Sequence, residues 1–125
     1  MGKYVMGIDI GTTGSKAMVV DLKGNILGSG YREYTLNYPH PNWVEVGAHF
    51  LMDLTFEAVK EAVEKSGVDK NEIDAVSFSV NRSSFCLLDE NLEPIDDKFY
   101  VWLDSAPSPL WRRWPRRSTP TAARN

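Results

Sequence analysis

One cysteine, Cys86, in 125 residues leaves no internal disulfide to form and suits a reducing cytoplasm. Cys86 sits in "SSFCLLD" and reads as a small hydrophobe in a buried strand. No apolar run approaches the roughly 20 residues a helix needs to cross a bilayer. The N-terminus lacks the basic-then-apolar layout of a signal peptide, because Asp9 and a Gly-rich turn interrupt it at once. Only two histidines occur, His40 and His49, without partner spacing for metal ligation or acid–base work. No stretch reads G-x-x-x-x-G-K-[ST], which excludes a P-loop, and there are no internal repeats. At 42% hydrophobic and 25% charged, the composition is that of a soluble globular chain. The length allows one domain with a real core and is short for two.

Acidic residues are also missing from the C-terminal end. Up to Asp104 the chain holds nine basic and all 17 acidic residues, a net charge of −8. Beyond it, "SAPSPLWRRWPRRSTPTAARN" has five Arg, no Lys, no acid and four of the seven prolines, a net charge of +5. A basic Trp/Arg/Pro segment can contact nucleic acid or a membrane surface. Here the lack of periodicity and the abrupt change from Lys to Arg favour a disordered or out-of-frame end instead.

Along the chain, Tyr4 to Ile10 reads as a strand buried on both faces until Asp9, and Ser15 to Asp21 as a second strand. Gly11 to Gly14 is short enough to make them a hairpin. "DLKGN" supplies the next turn and Ile26 to Leu36 a third strand. "NYPHPNWVEVG" follows as a loop without strand or helix pattern. From Ala48 to Lys65 the spacing becomes helical, with Met52, Phe56, Val59 and Val63 as the core stripe and Leu51, Ala58 and Ala62 beside it. Glu57 and Glu61 are each placed to pair with a Lys, and Gly67 ends the helix as a left-handed cap. Ile73 to Val80 and Phe85 to Asp89 read as further strands, and "KFYVWLD" as a sixth. The β-β-β-α-β order predicts an α/β domain with a mixed sheet covered by a helix, unlike a doubly wound fold whose helix follows the first strand.

The hairpin "MGIDIGTTGSKAMVVD" carries unusual chemistry for a turn. Gly11 and Gly14 would let backbone N–H groups approach an anion, Thr12, Thr13 and Ser15 add hydroxyls, and Asp9 stands at the mouth of the strand. That set suits phosphate with Mg²⁺. It also suits an ordinary hairpin in which Asp9 forms the turn and the threonines satisfy local backbone.

"GIDIGTTGSKAMVVDLKGNIL" closely resembles phosphate-binding motif 1 of the actin, heat-shock-70 and sugar-kinase superfamily, whose members share a ribonuclease H-like fold. Three further stretches resemble the FGGY carbohydrate kinases: "PNWVEV" is similar to their Pro-Gly-Trp-x-Glu segment, "SFSVNRSSFCLLDENLEPI" to their strand ending in Gln-Arg, and "VWLDS" to their Trp-x-Asp-x-Arg motif. The resemblance runs from Tyr4 to Ser105. It departs from the family at Asn81, where Gln is usual, and at Ala106, where Arg is expected.

The resemblance implies an incomplete ribonuclease H-like (actin-like ATPase superfamily) domain over residues 1–104, followed by the basic tail at 105–125. It implies ATP-dependent phosphorylation of a sugar, polyol or sugar-acid hydroxyl by a longer parent. Asp9, Gly11, Thr12 and Thr13 would handle Mg²⁺ and the β- and γ-phosphates of ATP, with Asp9 the metal ligand and Ser15 and Lys16 flanking. Lys16 reads rather more readily as a solvent-facing strand residue. Asn81, Arg82 and Ser83 would hydrogen-bond sugar hydroxyls. Trp102 and Asp104 would line the same cleft, and Trp43 and Glu45 would fix the long loop. No catalytic residue is assigned, because the family's general-base aspartate falls outside the stretch that matches. The implied partners are ATP and a small sugar or polyol, in the cytoplasm, without nucleic acid or membrane. A homodimer or self-association through exposed apolar surface is also expected. Two other readings stay open: a non-catalytic truncated module, and another actin-like ATPase, which would not need the Trp-x-Glu loop or the Trp-x-Asp pair.

Overall fold

In a computed structural model, residues 3–103 are described; Asp104 and the basic tail lie outside them. The hairpin forms as expected, with β1 over Tyr4–Ile10 and β2 over Gly14–Asp21. β3 spans Ile26–Glu33. The turn before it closes on Asp21, whose Oδ1 accepts from the backbone of Lys23 and Asn25 at 2.9 Å, with Gly24 at φ 89°. Hydrogen bonds from Asn25 hold the Asp21 carboxyl below its ordinary range. The remaining elements are β4 (Glu45–Gly47), α1 (Ala48–Ser66), β5 (Ile73–Val80), β6 (Phe85–Leu88) and β7 (Pro94–Tyr100).

Two sheets result. The larger has the order β3-β2-β1-β5, with β1 antiparallel to β2 and parallel to β5. Since β2 is also antiparallel to β3, the strands β1, β3 and β5 run the same way and end at one edge. The smaller sheet, β4-β7-β6, is antiparallel. It corrects the expectation for "NYPHPNWVEVG", whose last three residues are a strand. Val44 and Val46 are buried there, while Glu45 pairs with Lys98 at 3.0 Å. The ion pair fixes this stretch to β7.

α1 lies on β2 and β3, and how closely it lies decides which of its faces is buried. A Cβ added to Gly30 would stand 2.1 Å from the carbonyl oxygen of Ala58, and one on Gly28 would stand 2.4 Å from that of Ala62. The helix backbone therefore rests against strand backbone, and only small side chains fit between. Ala48, Leu51, Thr55, Ala58 and Ala62 are the buried stripe. Met52 and Phe56, expected in the core, are 45% and 62% exposed, because they are too large for the contact and turn away from it. Gly67 caps the helix at φ 66°, as expected. Glu61 pairs with Lys65, but Glu57 reaches Arg32 on β3 at 3.0 Å instead of a lysine.

β1 is buried on one face only. Met6 and Ile8 pack with Ala17, Val19, Ala58 and Ala62, whereas Val5 and Gly7 on the other face are half-buried and Asp9 is exposed. A second core of Tyr34, Val44, Val46, Leu51 and Val101 joins the start of α1 to the small sheet. On β5 the apolar side chains Val76, Phe78 and Val80 are each more than half exposed. Cys86 is half-buried rather than in a core; burial and then the charges of Asp96 and Asp97 push its thiol up. Among the described residues no helix is long and apolar enough to cross a membrane.

Candidate functional site

The edge at which β1, β3 and β5 end gathers most of the residues singled out from the sequence. The β1–β2 turn closes through the Gly11 N–H, which donates to the Gly14 carbonyl at 3.0 Å. Asn81, just past β5, donates its N–H to the Ile10 carbonyl at 3.1 Å and ties the 81–83 segment to the hairpin. The pleat then sorts the hairpin side chains onto two faces.

Asp9 and Lys16 are direct cross-strand partners on the face away from α1, and both are exposed. Neither makes a hydrogen bond or ion pair among the described residues. Beside Asp9 on β5 stands Ser79, and Gly7, Asp9, Met18, Ser77 and Ser79 line a shallow depression of about 230 Å³. Asp9 Oδ2 also lies 3.8 Å from where a Cβ on Gly11 would sit, so the carboxylate leans over the turn.

Ser15 goes the other way. Its register partner is Ile10, on the helix side, and it is fully buried with its hydroxyl 2.8 Å from Thr55 Oγ1. Thr55 spends its single proton on the Leu51 carbonyl at 2.8 Å, so Ser15 is the donor. Ser15, expected to flank the phosphate loop, thus has a hydroxyl that holds strand to helix and does not reach the loop. Gly14 likewise differs in its reason: an added Cβ would collide with the Tyr31 hydroxyl at 2.5 Å and the Arg32 carbonyl oxygen at 2.6 Å. That glycine is required by the neighbouring strand.

Two residues missed in the sequence hold the turn. Tyr34, buried in the second core, donates its hydroxyl to the Gly11 carbonyl and its N–H to the Thr13 carbonyl at 3.1 Å. Tyr31 donates its hydroxyl to the Thr13 carbonyl at 3.4 Å. The available signal was two tyrosines three apart at a strand end, each with a polar tip that needs a partner.

On the other side of the edge, Arg82, Ser83 and Trp102 line a cavity of about 470 Å³. Trp102 is 55% exposed, and its backbone N–H donates to Ser84 Oγ at 3.1 Å. Ser83 sits at φ 56°, in the left-handed region, which turns the chain sharply between β5 and β6. Asn81 faces instead a larger apolar cavity of about 600 Å³ between α1 and the β6–β7 hairpin, lined among others by Ile10, Met52, Val80, Cys86 and Phe99. Trp43 packs edge-on against His40 in the loop, at 4.5 Å between ring centres.

Could these residues hold a metal? Among the described residues no three His, Cys, Asp or Glu gather into a ligand group. A lone exposed carboxylate is nevertheless what Mg²⁺ takes from a protein when phosphates and water supply its other oxygens. Asp9 fits that description.

The chain matches the model of the FGGY family of carbohydrate kinases, N-terminal domain, over residues 4–125. A glycerol kinase of Thermococcus gammatolerans is 34% identical over 102 residues, which cover 82% of this chain and 20% of that protein. Among solved structures, a gluconate kinase from Lactobacillus acidophilus superposes with a TM-score of 0.72 at 26% identity, over 83% of this chain and 20% of the other. A xyloylose kinase from Brucella ovis gives a TM-score of 0.76 at 23% identity over 82% of this chain and 22% of the other, a likeness of fold. The chain spans about a fifth of the length of the curated relatives it matches.

Proposed function

We propose, because this chain belongs to the FGGY family of carbohydrate kinases, that the complete protein moves the γ-phosphoryl group of ATP to a hydroxyl of a sugar, polyol or sugar acid. Residues 1–104 supply the phosphate-binding hairpin and part of the sugar site. The observation that carries this reading is the shared edge, where the hairpin turn and the Arg82–Ser83–Trp102 cavity are joined by the bond from Asn81 to Ile10.

The chemistry follows from donors and charges. The turn offers the amides and hydroxyls of Thr12 and Thr13 to phosphate oxygens. Asp9 would hold Mg²⁺, which when bound neutralises phosphate charge, and Lys16 adds a cation across the strand from it. Arg82 brings a planar fork of donors suited to neighbouring hydroxyls or a carboxylate, Ser83 a further hydroxyl, and Asn81 an amide at the rim. The exposed Trp102 ring gives a sugar an apolar face to lie on, and Asp104, outside the described residues, is proposed to accept from its hydroxyls. The work of these residues is positioning and charge placement, and the general base comes from elsewhere in the complete protein. The exposed apolar side chains of β5 support self-association of the 125-residue chain on its own. A cytoplasmic setting goes with this reading.

The test is a panel of polyols, pentuloses and aldonic acids with Mg²⁺ and ATP on the complete protein, read by ADP release. Asp9→Asn and Arg82→Ala should each lower kcat/KM about a hundredfold, the loss typical of one oriented charge or donor. The 125-residue chain alone should stay at the blank. Full activity in Asp9→Asn, or no substrate in the panel, overturns the reading.

A further inference from the structure

We propose that Tyr34 is a positioning residue for the phosphate hairpin: it draws the Gly11 and Thr13 carbonyl groups inward and leaves the amides of Thr12 and Thr13 facing the anion. This deepens the phosphate reading above and rests on it.

A four-residue turn brings as many carbonyl acceptors as amide donors. It binds an anion only if the two are sorted, because one carbonyl oxygen aimed at a phosphate cancels what a neighbouring amide contributes. Here three of the four carbonyls are held by donors among the described residues. The Gly14 carbonyl accepts from Gly11, the Gly11 carbonyl from the Tyr34 hydroxyl, and the Thr13 carbonyl from both the Tyr34 amide and the Tyr31 hydroxyl. By contrast, the amides of Thr12 and Thr13 donate to no acceptor among the described residues.

Tyr34 can impose this because its ring is fixed from outside the turn. It is 7% exposed and packs in the cluster of Val44, Val46, Leu51 and Val101, which belongs to the small sheet and the start of α1. One side chain thus carries the position of a second core to the Gly11 carbonyl. Burial, and then the nearby Asp9 carboxylate, push the Tyr34 hydroxyl above its ordinary range, so it stays a donor throughout the neutral region.

Tyr34→Phe keeps the packing and removes only the hydroxyl. The experiment is a titration of the complete protein, isotopically labelled at Gly11, Thr12 and Thr13, with Mg·ATP, followed at the Thr12 and Thr13 amides and the Gly11 carbonyl carbon. The expected result is a moved Gly11 carbonyl resonance in the free variant and affinity about tenfold weaker than wild type, one hydrogen bond's worth. Val19→Ala, which loosens the other core and not the one that holds Tyr34, should bind Mg·ATP as wild type does. If Val19→Ala weakens binding equally, Tyr34 acts through stability alone and the proposal fails. If Tyr34→Phe binds like wild type, the proposal fails while the phosphate reading stands. If wild type shows no perturbation at Thr12 and Thr13, the phosphate reading fails and takes the proposal with it. Tyr31→Phe covers the case in which Tyr34→Phe does not fold. Tyr31 is 49% exposed, so its hydroxyl can be removed safely, and losing one of two donors on Thr13 should weaken binding two- to threefold. No loss there overturns the proposal.

Discussion

Gly30→Ala should be the most damaging one-carbon change in the large sheet. In most strands the substitution would help slightly, because alanine loses less backbone entropy than glycine on folding. At Gly30 the backbone does not need positive φ, so conformation gives no objection. The neighbours do. An added Cβ would stand 2.1 Å from the Ala58 carbonyl oxygen, 2.9 Å from its carbon and 3.0 Å from Glu61 Cβ. A relaxed carbon–oxygen contact is about 3.3 Å or longer, so α1 must lift by roughly 1 Å. Lifting opens a gap over Ala17, Ala58 and Ala62, all fully buried, and a gap of that width forfeits a quarter to a half of each dispersion contact. Overpacking against rigid backbone belongs at the upper end of the usual range, about 3 kcal/mol. For a domain of about 100 residues this lowers Tm by roughly 12–24 °C, measurable by far-UV circular dichroism with heating or urea. Gly24→Ala is the matched control: it meets nothing within 4 Å but sits at φ 89°, so about 1 kcal/mol is expected from backbone strain alone. A Gly30→Ala protein melting within 3 °C of wild type, or above Gly24→Ala, would refute the idea that helix and strand backbones touch here.

Two further outcomes follow from buried and paired groups. Thr55→Val keeps the shape but strands the Ser15 hydroxyl, at a cost of about 1–3 kcal/mol; adding Ser15→Ala should recover part of it, and a double variant no more stable than Thr55→Val in urea would contradict the bond. His49 at the start of α1 lies between Asp97, 2.7 Å from Nδ1, and Glu93, 3.3 Å from Nε2, and the bond to Asp97 followed by that to Glu93 raises its pKa. A raised folded pKa contributes stability that is fully present below the ordinary histidine value of 6.5 and is lost as pH rises through the folded value. Asp97, lowered chiefly by the His49 backbone and side-chain bonds, contributes above its ordinary 3.8 and loses this as pH falls through its own folded value. The gap in urea midpoint between wild type and His49→Gln should therefore be wider at pH 5.5 than at 8.5, and an equal or inverted gap would count against the clasp.

Where local pattern and tertiary packing agree, the sequence is readable to the residue. β1 and β5 begin and end at the residues expected from their apolar runs, and the Gly67 cap follows from a single glycine after a helical period. The hairpin was legible for the same reason: a four-residue turn bounded by two glycines joins two apolar runs. β4 was not legible, because three residues are too few to show a period and its partner β7 lies some fifty residues away. Tyr34 was hidden too. Its role depends on a ring held by Val44, Val46 and Val101, contacts that no local spacing announces.

The helix stripe shows a deeper limit. Hydrophobicity alone ranks Met52 and Phe56 above Thr55 and Ala58, yet the buried face is the one with Thr55 and Ala58. The choice is made on another strand, by Gly28 and Gly30, which admit the helix so closely that large side chains are excluded from the contact. Displaced from it, Met52 and Phe56 are left exposed, as are Val76, Phe78 and Val80 on β5. Exposed side chains of that size make sense if further layers of the complete protein lie over them, since monomers rarely leave large apolar patches bare. The glycine pair that misled the stripe assignment thus also leaves Met52 and Phe56 among the large apolar side chains that the described residues do not cover.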